Sequence, residues 1–131
     1  MRMRFKGWLA AAAVFAALVP GAALAAELLM FESATCEWCQ KWDEDVGVVY
    51  AKTAEGRAAP LHRIDIYAAR PADLRSVRGI VYTPTFVLWD RGREIGRVVG
   101  YPGEDNFWGL LGVIVAKLGA KPALVAARTV D

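Results

Sequence analysis

The spacing of two cysteines, Cys36 and Cys39, constrains the fold of this chain more than any other feature, and they are its only cysteines. They follow an apolar run, residues 28–31, whose composition predicts a β-strand. Residues three apart lie on the same face of a helix, so a helix that starts here brings the sulfurs together, with Cα atoms about 5–5.5 Å apart. The sequence therefore predicts a strand that leads into a reactive dithiol at the first turn of a helix. Two incidental buried cysteines are the alternative.

Residues 1–25 have the three regions of a secretory signal peptide. Residues 1–6 carry three basic side chains and no acid, and residues 7–19 are uncharged and mostly apolar. Ala23-Leu24-Ala25 provides small residues at the cleavage positions, so we expect cleavage after Ala25.

An uncleaved membrane anchor is the alternative interpretation of the same stretch. Residues 7–26 form a run of 20 uncharged residues, which is close to the length that spans a bilayer. Pro20-Gly21 interrupts this run, which favours a cleaved signal peptide. The pattern is typical of bacterial export to the periplasm, where disulfides form and persist.

The charge of the chain changes when the predicted signal peptide is removed. The whole chain has 16 basic and 14 acidic residues, and three of the basic ones lie in the signal, which leaves 13 against 14. A net charge near −1 gives no reason to expect a nucleic-acid partner. The remaining residues, about 105, suffice for one domain, predicted over residues 26–120, with a C-terminal tail over residues 121–131.

Hydrophobic periodicity and turn signals predict an α/β fold with the order β-α-β-α-β-β-α, in which helices flank a central mixed sheet. The predicted elements are a strand over 28–31, a helix from Cys36 to about Ala54, a strand over 61–67, a short helix over 71–77, strands over 83–89 and 94–99, and a helix that opens at residues 104–106. A loop is predicted over residues 56–60 and a hairpin turn over residues 90–93, and Gly47 is a candidate break in the first helix.

The position of the cysteines assigns a different role to each. A thiolate, rather than a thiol, attacks a disulfide. At the first turn of a helix the unpaired backbone N–H groups and the helix dipole favour negative charge, which predicts Cys36 as the attacking thiol. Cys39, one turn further along and more buried, is predicted to resolve the mixed disulfide between Cys36 and a substrate. The pair is itself a two-electron carrier, so neither a metal nor an organic cofactor is expected.

Three neighbours of the pair are candidates for tuning its chemistry. Glu37 places a carboxylate beside the attacking sulfur and opposes thiolate formation, and Trp38 adds an apolar surface. Equally, Glu37 is an acid that the first turn of a helix favours, and Trp38 is a candidate for packing onto a neighbouring loop. Glu32, on the preceding strand, is a candidate for proton transfer with Cys39, although we favour a side chain that points to solvent.

Thr83-Pro84 is the second chemical signal, because proline in a sheet belongs at the first residue of a strand or at an edge. Here it opens the most hydrophobic strand predicted for the exported domain. A cis Thr83–Pro84 bond, which a CxxC pair upstream favours, would leave the Thr83 backbone free to pair with an extended substrate. We therefore predict that Thr83 and Pro84 bind substrate.

Together these signals resemble the thioredoxin superfamily over nearly the whole exported chain. The matching segments are residues 28–39 as strand, CxxC and helix, residues 78–80 and 83–86 as the cis-proline region, and residues 92–101 as the final hairpin. The resemblance implies the thioredoxin fold and thiol–disulfide oxidoreductase activity, with Cys36 as nucleophile, Cys39 as resolving thiol and Thr83-Pro84 as the substrate-contacting segment.

The chain departs from the usual thioredoxin pattern around the cysteines. Thr35 precedes Cys36, and Glu37-Trp38 fills the gap between the cysteines. Met30 stands where thioredoxins usually carry a buried acid, so the task of proton transfer falls to Glu32, to water or to no group at all.

A narrower resemblance, to the SoxS-type periplasmic thioredoxins of bacterial sulfur oxidation, is carried by the export signal and by residues 31–39 and 83–86. It implies a reductase of protein disulfides, with the SoxYZ sulfur carrier as a candidate partner and a membrane electron-transfer protein as the electron donor. We expect a monomer. A periplasmic disulfide oxidant or isomerase is the alternative within the same class.

Two alternatives of another class remain open. Two thiolates can hold Cu(I), and an adaptor could bind a partner through Thr83-Pro84 with little catalysis. Zinc is not expected, because only His62 is available beyond the two cysteines and a structural zinc site takes four ligands. We predict that His62 is an ordinary histidine at a strand edge.

Overall fold

The structure is a computed structural model that describes residues 25–119. The predicted tail over residues 121–131, and the predicted signal peptide apart from Ala25, lie outside the described residues. Across residues 25–119, no helix has both the length and the apolar character that a membrane crossing requires.

Four strands form one mixed sheet in the order β2-β1-β3-β4. The strands are β1 (Glu27–Glu32), β2 (Leu61–Asp65), β3 (Thr85–Asp90) and β4 (Arg93–Val99). β1 pairs in parallel with β2 and antiparallel with β3, and β3 pairs antiparallel with β4. The prediction of a central mixed sheet is confirmed.

Strand direction decides which loops lie at the same end of the sheet. Phe31, near the end of β1, lies opposite Ile64 of β2 and Thr85 of β3. Thr85, the first residue of β3, lies opposite Val99, the last residue of β4. The loop that carries the cysteines after β1 and the segment that carries Pro84 before β3 therefore lie at one end of the sheet.

A two-residue turn joins β3 to β4. Arg91 and Gly92 have φ angles of 49° and 78°, and a type I′ turn requires positive φ at both central residues. Gly92 adopts this conformation without a steric penalty, and the Arg91 guanidinium lies 3.0 Å from the Asp90 carboxylate. The predicted hairpin is confirmed, with a turn of two residues instead of four.

One continuous helical stretch, residues 37–50, follows the first cysteine, and we call it the dithiol helix. It consists of α1 (Glu37–Trp42), a π-helical segment (Asp43–Gly47) and α2 (Val48–Tyr50). The helix predicted from Cys36 to about Ala54 is therefore confirmed in place but is shorter. Gly47 ends the π-helical segment without interrupting the helix.

The structure corrects the loop predicted over residues 56–60. Ala54–Ala58 form a short helix, α3, and Thr53 caps it by accepting a hydrogen bond from the Gly56 amide at 3.0 Å. A Cβ at Gly56 would lie 1.9 Å from the Tyr50 carbonyl oxygen. The glycine that indicated a loop is instead the point where α3 meets the end of the dithiol helix.

The helix predicted over residues 71–77 is a single 3-10 turn over Ala72–Leu74. The Leu74 and Val77 amides donate to the Pro71 and Leu74 carbonyls, each three residues back, so the segment makes 3-10 turns rather than an α-helix. The last helix, α4 (Glu104–Val115), begins where the sequence predicts and is followed by a 3-10 turn over Ala116–Leu118.

Two strands are shorter than predicted. β2 ends at Asp65 because its carboxylate accepts a hydrogen bond from the Tyr67 amide at 2.8 Å, which starts a turn. β3 begins at Thr85 rather than Thr83, so that Pro84 precedes the strand.

Apolar side chains from two clusters cover the two faces of the sheet. Because side chains alternate along β1, Leu28 and Met30 pack with the dithiol helix and α4, whereas Leu29 and Phe31 belong to the opposite cluster. The helical side is filled by aromatic rings, whose centroids are 5.1 Å apart for Trp42–Phe86 and 4.8 Å apart for Phe86–Phe107. This packing fixes the dithiol helix against the sheet.

Candidate active site

Cys36 and Cys39 form a disulfide whose Cα atoms are 5.2 Å apart, as the spacing predicts. Cys36 is the N-cap residue of α1, and its sulfur accepts a hydrogen bond from the Cys39 amide at 3.1 Å. An N-cap side chain usually offers an oxygen for this bond, and here a sulfur takes its place. In the reduced protein, the amide and the helix dipole would favour a thiolate at Cys36.

The cysteines are buried, and the residues between them are not. Cys36 is 8% exposed and Cys39 is 3% exposed, so Cys39 is the more buried, as predicted. Glu37 is exposed, and Trp38 presents 62% of its surface to solvent. Trp38 therefore offers an apolar surface beside the disulfide.

A cavity of about 360 Å³ opens beside the disulfide. Both cysteines line it, together with residues from the end of β1, from β2 and from the dithiol helix. Its charged lining residues are three acids and one base, namely Glu32, Asp43, Asp65 and Arg63. The cavity therefore has a net negative rim.

Arg63 connects the sheet to the dithiol helix through two carboxylates. Its Nη1 donates to Glu32 Oε2 at 2.7 Å, and its Nη2 donates to Asp43 Oδ1 at 2.5 Å. The hydrogen bond to Asp43 and the charge of Glu32 raise the pKa of Arg63 above its usual value. The Glu32 side chain is 25% exposed and lies at the cavity rim, where it pairs with Arg63.

The Thr83–Pro84 peptide bond is cis, and Pro84 is buried. The Pro84 carbonyl accepts a hydrogen bond from the Gly100 amide at 2.7 Å. Within residues 25–119, neither the amide nor the carbonyl of Thr83 has a backbone hydrogen-bond partner. Thr83 thus holds a free backbone donor and acceptor at the end of the sheet where the disulfide lies.

A second polar contact joins the dithiol helix to the chain after β4. Asp45 accepts hydrogen bonds from Lys41 Nζ at 2.5 Å and from the Tyr101 hydroxyl at 2.9 Å. These bonds, that from Lys41 first, lower the pKa of Asp45. Burial, and then the bond to Asp45, raise the pKa of Tyr101.

Sequence reasoning missed Arg63, Asp43, Asp45 and Tyr101. Arg63 and Asp43 are 20 residues apart and Asp45 and Tyr101 are 56 residues apart, so no local pattern connects them. The one available signal was a basic residue in the strand predicted over residues 61–67. The observed parallel register with β1 places this residue, Arg63, opposite Met30.

Among the described residues, no group of three or more His, Cys, Asp and Glu side chains has the arrangement of a metal site. His62 lies on the edge strand β2, and its Nδ1 is 3.2 Å from the Glu27 carboxylate, as a histidine at a strand edge would be. The two cysteines alone would still suffice to bind Cu(I).

Solved structures show what this fold and site resemble. The periplasmic thioredoxin SoxS from Paracoccus pantotrophus, in its reduced form, is 42% identical to this chain. The match covers 71% of this chain and 98% of that protein, with a TM-score of 0.67. The chain belongs to the thioredoxin superfamily.

More distant thioredoxins share the fold. A mutant thioredoxin from Halobacterium salinarum is 28% identical over 74% of this chain and 78% of its own, with a TM-score of 0.50. A thioredoxin from Malassezia sympodialis is 21% identical over 69% of this chain and 75% of its own, also with a TM-score of 0.50, and this likeness concerns the fold alone. No protein-family model matches the chain, and no curated protein sequence matches it significantly.

Membership of the thioredoxin superfamily identifies the Cys36–Cys39 disulfide as the redox-active group. A thioredoxin fold with a CxxC disulfide at the start of a helix is a thiol–disulfide oxidoreductase, and this chain is one. The predicted fold class and enzyme class are confirmed.

Proposed function

We propose that this oxidoreductase works in the periplasm as a reductase of protein disulfides. The observation that carries the proposal is the Cys36–Cys39 disulfide at the start of a helix, at the end of the sheet where the Thr83 backbone is free. The predicted signal peptide and the similarity to a periplasmic thioredoxin support the compartment.

In the first step, the Cys36 thiolate of the reduced protein attacks one sulfur of a substrate disulfide. A bond forms between Cys36 and that sulfur, the substrate S–S bond breaks, and the second substrate sulfur leaves as a thiolate that takes up a proton. The hydrogen bond from the Cys39 amide to the Cys36 sulfur supports the thiolate that this step needs.

In the second step, Cys39 loses its proton and attacks the Cys36 sulfur. The Cys36–Cys39 disulfide forms and the substrate's other sulfur leaves as a thiolate that takes up a proton. Two electrons thus pass from the protein to the substrate; Cys39 releases one proton, and the rest of the two protons that the substrate gains comes from solvent. No metal or organic cofactor is required. Glu32 is our candidate for receiving the Cys39 proton, because its carboxylate lines the same cavity.

The charges around the disulfide favour the reducing direction. Glu32, Asp43 and Asp65 outnumber Arg63 around the cavity, and the exposed Glu37 adds a carboxylate next to Cys36. Negative charge opposes the Cys36 thiolate, which destabilises the reduced form and makes the protein a better electron donor. The hydrogen bond from the Cys39 amide acts in the opposite sense, and it is the observation that favours the alternative, a disulfide oxidant or isomerase.

We propose that the substrate binds as an extended segment beside the disulfide. The free amide and carbonyl of Thr83 can pair with the backbone of such a segment, as in strand addition at a sheet edge. The exposed indole of Trp38, between the two cysteines in sequence, offers an apolar contact for the same segment.

The resemblance to SoxS-type thioredoxins supports the SoxYZ sulfur carrier as the candidate substrate. A membrane electron-transfer protein is the candidate electron donor, since a periplasmic dithiol must be reduced again after each cycle. We expect the protein to act as a monomer.

Reduction of insulin by the reduced protein tests the proposed activity. We expect turnover by the wild type and none by Cys36→Ser, whereas Cys39→Ser should accumulate a mixed disulfide with the substrate. Absence of turnover by the wild type in every redox buffer, or full activity of Cys36→Ser, would overturn the proposal. The Cys39→Ser variant in the native host, followed by identification of the protein that it captures, tests SoxYZ as substrate.

A further inference from the structure

The π-helical segment, Asp43–Gly47, begins directly after α1, which contains Cys39. Such segments are rare and often occur at functional sites. Three consecutive acids open this one, Asp43, Glu44 and Asp45. Residues two apart on a helix do not share a face, so the two aspartates point away from each other.

Asp43 reaches toward the sheet. Its carboxylate accepts a hydrogen bond from Arg63 Nη2 at 2.5 Å, and Arg63 Nη1 donates to Glu32 at 2.7 Å. These three residues line the cavity that both cysteines line. A change in the charge of Asp43 therefore changes the electrostatic potential around the sulfurs.

Asp45 reaches toward the chain after β4. It accepts a hydrogen bond from the buried Tyr101 at 2.9 Å. The residue before Tyr101, Gly100, donates its amide to the Pro84 carbonyl at 2.7 Å. Two hydrogen bonds, joined through the backbone between Gly100 and Tyr101, therefore connect the dithiol helix to the segment that carries Pro84. None of the residues that make these two bonds lines the cavity beside the sulfurs.

We propose that Asp43 and Asp45 form a two-sided clamp on the dithiol helix, in which each aspartate positions a different part of the redox site. Asp43, through Arg63, sets the charge that the Cys36–Cys39 pair experiences. Asp45, through Tyr101, holds the Pro84 segment at the distance from the disulfide that a protein substrate requires. The clamp rests on the thiol–disulfide chemistry of the proposed function but not on its reducing direction.

The Asp43 side of the clamp is tested by the redox equilibrium of Asp43→Asn with glutathione. Without the carboxylate, the Arg63 charge is less neutralised and favours the thiolate, so the equilibrium shifts toward the dithiol form by about threefold or more. Glu44→Gln is the matched control, because it removes one charge from the same segment at an exposed residue that has no hydrogen-bond partner among the described residues. If both variants shift the equilibrium equally, Asp43 acts as one more surface charge and the Asp43 side of the clamp is refuted.

The Asp45 side is tested by Tyr101→Phe, which removes one hydroxyl and no charge. We expect the KM for insulin to rise about threefold, while the rate with a small aromatic disulfide and the glutathione equilibrium stay within twofold of the wild type. Tyr50→Phe is the control, because the Tyr50 hydroxyl donates to the Ala59 carbonyl at 2.7 Å beyond the far end of the dithiol helix. An unchanged KM in Tyr101→Phe, or an equal rise in Tyr50→Phe, would refute the Asp45 side.

Failure of the clamp and failure of the proposed function give different results. Wild-type protein that does not reduce insulin contradicts the reductase, and the Asp43 test, an equilibrium measurement, still decides its side of the clamp. The Tyr101→Phe test then uses a dithiol peptide and the oxidised protein, so the KM comparison is made in the oxidising direction.

Discussion

Arg63 forms ion pairs with two of the carboxylates beside the disulfide, those of Glu32 and Asp43. It lies opposite Met30, which is fully buried and stands where thioredoxins usually carry an acid. Residues two apart in a strand face the same side, so Glu32 lies on the Met30 side of the sheet, where it contacts Arg63. Glu32 therefore places a carboxylate on the same side of the sheet as Met30, two residues later along the same strand.

The first prediction concerns Glu32 as a proton acceptor. In Glu32→Gln the side chain no longer accepts the Cys39 proton, and we expect the mixed disulfide to be resolved about tenfold more slowly near neutral pH. Rapid quenching of the reaction between reduced protein and a disulfide peptide measures this rate. Glu27→Gln, at the other end of the same strand, is the control and should keep the wild-type rate. Equal slowing in both variants would show that proton transfer does not involve Glu32.

The second prediction concerns the pH dependence of stability at Asp45. Hydrogen bonds from Lys41 and then Tyr101 lower the pKa of Asp45 below its ordinary value of 3.8. The stabilisation is therefore present above the pKa of the unfolded chain and is lost as pH falls through the lower pKa of the folded state. The difference in unfolding free energy between wild type and Asp45→Asn should be constant between about pH 7 and pH 5 and shrink below about pH 4. Denaturant titrations across this range measure it, and a difference that grows on acidification would contradict the assignment.

Among the helices and strands, the sequence predicts those in which the local pattern and the tertiary packing agree. The strand before the cysteines, the hairpin between β3 and β4, and α4 all carry such patterns, and each lies where it was expected. The π-helical segment was not predicted, because its aspartates bind Arg63 and Tyr101, which are distant in sequence. The Cys36–Cys39 pair was predictable from spacing, whereas the charged rim around it depends on strand register.

The helix α3 was missed for a different reason. Gly56 is a poor helix former, so local propensity argues for a loop. Thr53, which caps α3, was the available signal for a helix start. Packing decides the outcome, since only glycine fits against the Tyr50 carbonyl.

The third prediction follows from this contact. In Gly56→Ala the new Cβ would overlap the Tyr50 carbonyl oxygen, 1.9 Å away, and neither backbone can move freely. We expect a loss of about 3 kcal/mol in unfolding free energy, the upper end of the range for overpacked sites. Gly109→Ala in α4, where nothing lies within 4 Å, should instead stabilise the protein by about 0.5–1 kcal/mol. Chemical denaturation compares the two variants, and similar effects in both would rule out close packing at Gly56.

In the molecule as a whole, the redox site is part of the core. Cys36 and Cys39 belong to the same buried cluster as Trp42, Phe86 and Phe107. The dithiol helix thus connects the redox state of two sulfurs to the packing of one side of the sheet. The redox equilibrium of the two cysteines and the free energy of unfolding are therefore thermodynamically linked. The redox form that the folded protein favours, relative to the unfolded chain, is the form with the larger free energy of unfolding.

The fourth prediction uses this linkage to test the redox direction. A reductase has a fold that favours its disulfide form, so the oxidised protein should unfold at a higher temperature than the reduced protein. An oxidant has a stabilised reduced form and would show the reverse order. Thermal unfolding with and without a reductant measures the difference, and Cys36→Ser, which forms no internal disulfide, should be insensitive to the reductant.

The reduction potential of the Cys36–Cys39 pair tests the central claim most directly. Equilibration of the purified protein with glutathione or dithiothreitol buffers, followed by quantification of free thiols, gives this value. The proposed reductase predicts a potential of about −270 mV, in the range of thioredoxin. A potential of about −120 mV would identify a disulfide oxidant and contradict the proposed direction.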